Sequence, residues 1–235
     1  MQVEIGAPSE YGLSGIKKRI DKMENIIHIP RGINLDLGTG VGAYFSILEN
    51  KSKILYALDG EISYLKKFRK NSPNNSDKIF ACNTEYLSLR NESLDSVIAI
   101  EVLEHVKNLK QTALEIFRVL KPNGLLFISV PNKYFPLETH MLRFGKCSIK
   151  GKYIPFVSMS DFIHKKIGTA RRFSKKNIIN EFSQCGFGIV GFEFMMPPFD
   201  YFNFGRKYIK KFTDKMERSY LKYFSMTLIA VMRKK

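Results

Sequence analysis

The chain has no tryptophan and only three cysteines among its 235 residues. Cys82, Cys147 and Cys185 are scattered and never form a Cys-x-x-Cys pair, which excludes a disulfide framework and a zinc-finger site. They read as reduced thiols of a cytoplasmic protein. No run approaches the ~20 consecutive apolar residues that a membrane-spanning helix needs. The opening MQVEIGAPSEYG has no apolar core of a signal peptide, so none is expected. Internal repeats and low-complexity tracts are also missing. Acidic residues are scarce, 22 against 38 Lys and Arg, giving a formal charge of +16. The scarcity is local. Residues 1–140 hold 18 basic and 16 acidic side chains, whereas residues 141–235 hold 20 and 6. Such an excess is either a solvated face or a surface for a polyanion: nucleic acid, anionic lipid headgroups or a phosphorylated acceptor. What the chain does have is 44% apolar and 13% aromatic residues, enough for a proper core and too many for disorder.

Apolar periodicity predicts a helix over 11–27 through Leu13, Ile16, Ile20, Met23 and Ile27. Strands and helices then alternate. Strands are expected at Ile33–Leu37, Lys53–Leu58, Ile79–Ala81, Asp95–Ile100 and Leu125–Val130. Helices are expected at Ala43–Asn50, Glu61–Lys70 and Lys107–Leu120, and a further one capped by Ser174 and ended by Gly186. Two more strands fall near Phe187–Phe194 and Phe224–Met232. This alternation predicts an α/β fold: a doubly wound, mostly parallel seven-stranded Rossmann-like sheet, helices on both faces, and an antiparallel last strand. The chain reads as a single domain over 1–235. Residues 1–30 supply an N-terminal helix, and 137–172 and 195–224 are basic, aromatic insertions capping the acceptor side.

The informative stretch is Asp36-Leu37-Gly38-Thr39-Gly40-Val41-Gly42-Ala43, a strand running into a glycine turn and a helix. Glycine lets the backbone approach a ligand closely, and the helix start offers free N–H groups. Taken alone it also fits a dinucleotide fingerprint or a mere tight turn. Asp59 closes the second strand, where an acid reaches ribose hydroxyls in dinucleotide and nucleoside folds. CNTEYLSLRNESLDSVIAIEVLEHV (82–106) and EIFRVLKPNGLLFISVPN (115–132) follow.

This ordered set resembles the class I S-adenosylmethionine (SAM)-dependent methyltransferases, type 11 group, over roughly residues 30–135 and 171–187. The resemblance implies SAM as cofactor. Asp36, Gly38, Thr39, Gly40 and Gly42 would wrap its methionine end, and Asp59 would pair with both ribose hydroxyls. Asn83 and Thr84 would sit beside adenine; Asn83 replaces the usual Asp, which implies weaker binding, since an amide oxygen still accepts. Asn123 replaces a glycine in the Lys-Pro-Gly-Gly turn, and Asn tolerates the left-handed region that turn needs.

Methyl transfer to oxygen also needs a proton acceptor. His105 and Glu101, just beyond the fourth strand, are the candidates, because parallel sheets bind ligands past their carboxyl ends. Glu101-Val102-Leu103-Glu104-His105 further resembles the metal-ligand run of ubiquinone-type and small-RNA O-methyltransferases, with His140 as a possible completing ligand. Packing and capping of the next helix would account for the same residues, so the metal is left open. His28 and His164 show no partner pattern and read as ordinary. Residues 205–224 segregate on a helical wheel. Tyr208, Ile209, Phe212, Met216, Tyr220, Tyr223 and Phe224 share one half, with Lys207, Lys210, Lys211, Lys215, Arg218 and Lys222 opposite. That helix suits the core, a lid, or the surface of an anionic membrane.

The function expected is methyl transfer to a hydrophobic or anionic small-molecule or lipid-linked acceptor, at oxygen. The protein would be cytoplasmic, with peripheral membrane contact. RNA methylation, or SAM or nucleic-acid binding without catalysis, are the alternatives. The oligomeric state is left open.

Overall fold

The computed structural model describes residues 13–150, 155–156, 159–197 and 206–235. The first twelve residues, and parts of both expected insertions (151–154, 157–158, 198–205), lie outside the described residues. Strands β1 (Ile33–Leu37), β2 (Ile54–Asp59), β3 (Ile79–Ala81), β4 (Leu94–Ile100) and β5 (Leu120–Pro131) run parallel. β8 (Phe187–Met195) and β9 (Thr227–Lys234) complete a seven-stranded sheet of order β3-β2-β1-β4-β5-β9-β8. β9 is antiparallel to both of its neighbours, as the sequence predicts for the last strand.

Side chains alternate across the sheet, so each central strand feeds two cores. Val97 and Ala99 pack on one face with α4 (Leu109–Val119) and α6 (Lys175–Ser183), through Ala113, Ile116, Ile178 and Phe182. Ile98 and Ile100 pack on the other with α1 (Leu13–Glu24), α2 (Phe45–Glu49) and α3 (Ile62–Asn71), through Ile20, Met23, Leu48 and Phe68. α6 begins at the predicted cap Ser174, which accepts from Asn177 N, and α4 at Asn108, which accepts from Gln111 N.

Three differences from the sequence reading have clear causes. The Pro122-Asn123-Gly124 turn is an irregularity inside β5, which already pairs with β4 at Leu120. Asn123 takes the left-handed conformation there (φ 63°), as its amide side chain allows. Second, the 137–172 insertion carries regular structure that short segments do not announce. It contains a hairpin, β6 (Met141–Phe144) with β7 (Cys147–Lys150), and the helix α5 (Asp161–Ile167).

Third, the expected helix over 205–224 is broken. α7 (Arg206–Glu217) stops, Ser219 caps a short 3-10 turn at Tyr220–Phe224, and the aromatic arc does not face the core. Tyr208 and Phe212 are exposed, while Thr213 is buried and Ile209, Met216 and Glu217 are half-buried. The reason is electrostatic. Glu217 reaches Lys18 (2.7 Å) and Lys22 (3.2 Å) of α1 and accepts from Met196 N (2.7 Å), which sets the rotation of α7. Among the described residues no helix is long and apolar enough to cross a membrane.

Candidate active site

β1, β2 and β4 end on the same edge of the sheet, with Asp36 opposite Ala57 and Ile98. The glycine loop, Asp59 and the Glu101–His105 run therefore emerge together. Gly38 (φ +74°) has no room for a side chain, since a Cβ would lie 2.4 Å from Val102. The loop thus packs directly on the Glu101–His105 run. Gly40 (φ +58°) differs: nothing lies within 4 Å of its would-be Cβ, so it faces open space where a ligand can approach.

The two acids of the loop have distinct tasks. Asp36 is buried and accepts from the Thr39 hydroxyl at 2.7 Å. Burial pushes its carboxyl up to about 7, the Thr39 bond opposes this, and the Asp59 charge adds to it. Asp59 is half-buried, and its two oxygens accept from Gly40 N (2.8 Å) and Glu61 N (2.7 Å). It therefore shapes the loop as well as facing the cleft, a second role that motif reading does not reveal. Asn83 is exposed and its side-chain oxygen turns back to Glu85 N (2.9 Å) in a local turn; Thr84 beside it is half-buried.

On the other side of Val102 lies a cluster of acids and imidazoles. Glu101 adopts a left-handed backbone (φ 53°), an uncommon state for a residue with a Cβ. Its Oε1 accepts from Ser129 Oγ (3.1 Å) and pairs with Arg19 (3.4 Å). Arg19 is fully buried and also donates to the Tyr44 hydroxyl. Glu104 is fully buried, and neither of its oxygens finds a hydrogen-bond donor among the described residues. Burial and the Glu101 charge push its carboxyl well above the usual range, with Arg19 pulling the other way.

Glu104 Oε1 stands 4.0 Å from His105 Nε2 and 4.0 Å from His140 Nε2, and the two rings meet edge-on at 5.2 Å. Burial, then the nearby His140 and Arg171, lower the His105 pKa to about 4, so this imidazole is neutral at neutral pH. The structure brings Glu104, His105 and His140 together, with the Glu101 charge acting on Glu104, as the sequence reading groups them. That reading misses Arg19, Glu138 and His164. Arg19 carried a signal: it occupies a core position of the Ile16, Ile20, Met23 stripe. His164 is not ordinary, since it is buried against Glu138, which bonds in turn to His140.

Comparison with known proteins agrees with this geometry. Residues 35–128 match the family model of a methyltransferase domain, type 11. Over 128 residues the chain is 33% identical to a mitochondrial ubiquinone biosynthesis O-methyltransferase of Dictyostelium discoideum, covering 48% of this chain and 40% of that protein. A ubiquinone biosynthesis O-methyltransferase of Rickettsia typhi is 34% identical over 100 residues, 42% of this chain and 41% of that one. The chain spans about two fifths of the length of these curated relatives. A SAM-dependent methyltransferase structure from Mesorhizobium loti shares the fold (TM-score 0.62, 16% identity, 90% of this chain and 95% of that one).

Residues 35–128 are thus similar to a methyltransferase domain of the type 11 group, and the chain shares the fold of a SAM-dependent methyltransferase structure. At the glycine loop the open face of Gly40, the loop amides beside it and the acids Asp36 and Asp59 suit a ligand with an amino-acid end and a ribose diol. The acceptor-side cluster also passes a test for a cation. Ligand atoms of Glu104, His105 and His140 lie within 4.8 Å of one another, and both Glu104 oxygens lack a donor. A carboxylate and two imidazoles suit Mn²⁺ better than Mg²⁺, which prefers an all-oxygen shell.

Proposed function

We propose that this methyltransferase acts on an oxygen of a hydrophobic or anionic acceptor, small or lipid-linked, seated over Glu104, His105 and His140. The observation that carries this is Glu104: neither buried oxygen finds a hydrogen-bond donor among the described residues, and Oε1 stands 4.0 Å from each of two imidazoles. Desolvating a carboxylate without a partner costs several kcal/mol, so such an arrangement calls for a proton or a cation. The relatives named as O-methyltransferases support oxygen as the acceptor atom.

When bound, SAM supplies an electrophilic methyl on a sulfonium. The chain's own residues must place the acceptor oxygen in line and accept its proton. We assign Glu104, His105 and His140 as ligands of a divalent cation, which would act as a Lewis acid on the acceptor hydroxyl. Glu101, tied to Arg19 and Ser129, is fixed in place. Its charge favours a proton or cation at Glu104. The test is turnover with labelled SAM and extracted lipids and metabolites, with and without EDTA, read by mass spectrometry. A methylated lipid or small acid, lost in EDTA and restored by Mn²⁺, is the expected result. Full turnover in EDTA rejects the cation and leaves neutral His105 as the proton acceptor. Labelled RNA instead would replace the acceptor class.

The same reading gives α7 a role. Tyr208 (78%), Phe212 (61%) and Tyr220 (90%) are exposed beside exposed Lys207, Lys210, Lys211 and Lys215. Aromatic and basic side chains together suit an anionic lipid surface, where a lipid-linked acceptor would be met.

A further inference from the structure

Glu138 lies in the loop between β5 and β6 and is 2% exposed. A carboxylate so buried needs compensation, and three groups supply it. His140 N donates to its Oε1 (3.0 Å), and His140 Nδ1 lies 3.5 Å from that same oxygen. From a different element, His164 Nε2 of α5 lies 3.0 Å from Oε2. His164 is itself 4% exposed, and its ring occupies the space that Gly168 leaves: a Cβ there would stand 2.4 Å from it. Burial raises the Glu138 carboxyl, but the His140 N–H and the two imidazoles close to its oxygens, which contact it without the alignment of a hydrogen bond, outweigh this and hold it below the usual carboxylate range. The other neighbour of His140 Nδ1 is the Thr139 hydroxyl at 3.2 Å, which can also accept.

A ring nitrogen facing a carboxylate and a hydroxyl carries the proton, and the opposite nitrogen then presents its lone pair. For His140 that opposite atom is Nε2, which faces Glu104 Oε1 at 4.0 Å. We infer that Glu138, anchored by His164, is a positioning residue that fixes His140 as the Nδ1–H tautomer with its Nε2 lone pair aimed at Glu104 and His105. The inference rests on the site proposed above and adds an outer layer to it. This layer ties α5 to the site through His164. Partners of this kind orient ligating histidines in metal sites and general-base histidines alike.

Long-range proton–nitrogen NMR of the histidine-labelled, metal-free protein tests the tautomer directly. The expected result is His140 protonated at Nδ1 in the wild type and a mixture of tautomers in Glu138→Ala. An Nε2–H tautomer in the wild type overturns the inference, whatever becomes of the cation. Mn²⁺ titration with S-adenosylhomocysteine present supplies the second readout. Glu138→Gln and His164→Gln should bind Mn²⁺ roughly 10- to 100-fold more weakly, with SAM affinity within about twofold of wild type. Wild-type Mn²⁺ affinity in both variants also overturns it. If the wild type binds no Mn²⁺, the cation reading fails and the NMR result alone decides the positioning role. Should Glu138→Ala not fold, His164→Gln carries both measurements.

Discussion

Asp59 holds the glycine loop, and as the proposed ribose partner it would couple the shape of that loop to cofactor affinity. Its carboxylate accepts from Gly40 N at 2.8 Å and Glu61 N at 2.7 Å, both charge-assisted. A hydrogen bond to a charged group contributes about 1.5–3 kcal/mol. Asp59 is half-buried, so the lower end applies, and Asp59→Ala should destabilise the fold by about 2–3 kcal/mol. At about 2–4 °C per kcal/mol, that is a fall in Tm of roughly 4–12 °C. Affinity for SAM should fall further than folding alone explains. The proposed ribose contact would be lost together with the restraint on Gly40, the residue facing open space. One lost charge-assisted bond corresponds to roughly a 10- to 150-fold weaker Kd. Titration calorimetry well below the Tm of the variant measures this. Asp59→Asn keeps one accepting oxygen and should fall between the two. SAM binding by Asp59→Ala at wild-type affinity would refute the reasoning, as would binding of NAD in preference to SAM.

Asp36 predicts a pH effect. Its pKa is raised to about 7 in the fold from 3.8, so the native state holds a proton that the unfolded chain has released. The contribution to stability is therefore fully present below about pH 4 and is lost as pH rises to about 7. Urea unfolding of wild type and Asp36→Asn across this range should show that slope only in the wild type; parallel curves would contradict it. Arg19→Leu leaves Glu101 without its buried cation and should cost about 3 kcal/mol or more in stability. Unchanged denaturant midpoints would show the pair to be inert. Lysine-to-glutamate changes at Lys207, Lys211 and Lys215 should release the protein from anionic vesicles at low salt and spare SAM affinity. About 1 kcal/mol attends each such charge near the surface. A wild type that stays in the supernatant in co-sedimentation would end the membrane reading.

The legible parts of this protein are those written in neighbouring residues. Period-two and period-3.6 apolar patterns located the seven strands of the sheet and the helices between them, because burial on two faces demands those patterns locally. The glycine loop, the acid ending β2 and the cap at Ser174 were readable for the same reason: each acts within a few residues of itself. The orientation of α7 stayed open because a helical wheel shows which residues share a face, and not which face meets the protein. Glu217 gripping α1 settles that, and it leaves Tyr208 and Phe212 outside.

By itself the sequence determined the fold class and the place of the glycine loop, and it singled out Glu101, Glu104, His105 and His140. Only the tertiary structure decided what surrounds them. Arg19 meets Glu101 across 82 residues. Glu138 meets His164 of α5, an element the sequence did not announce. Such pairings are set by how elements pack, because the energy of a buried charge depends on every partner within a few ångströms, wherever in the chain that partner lies.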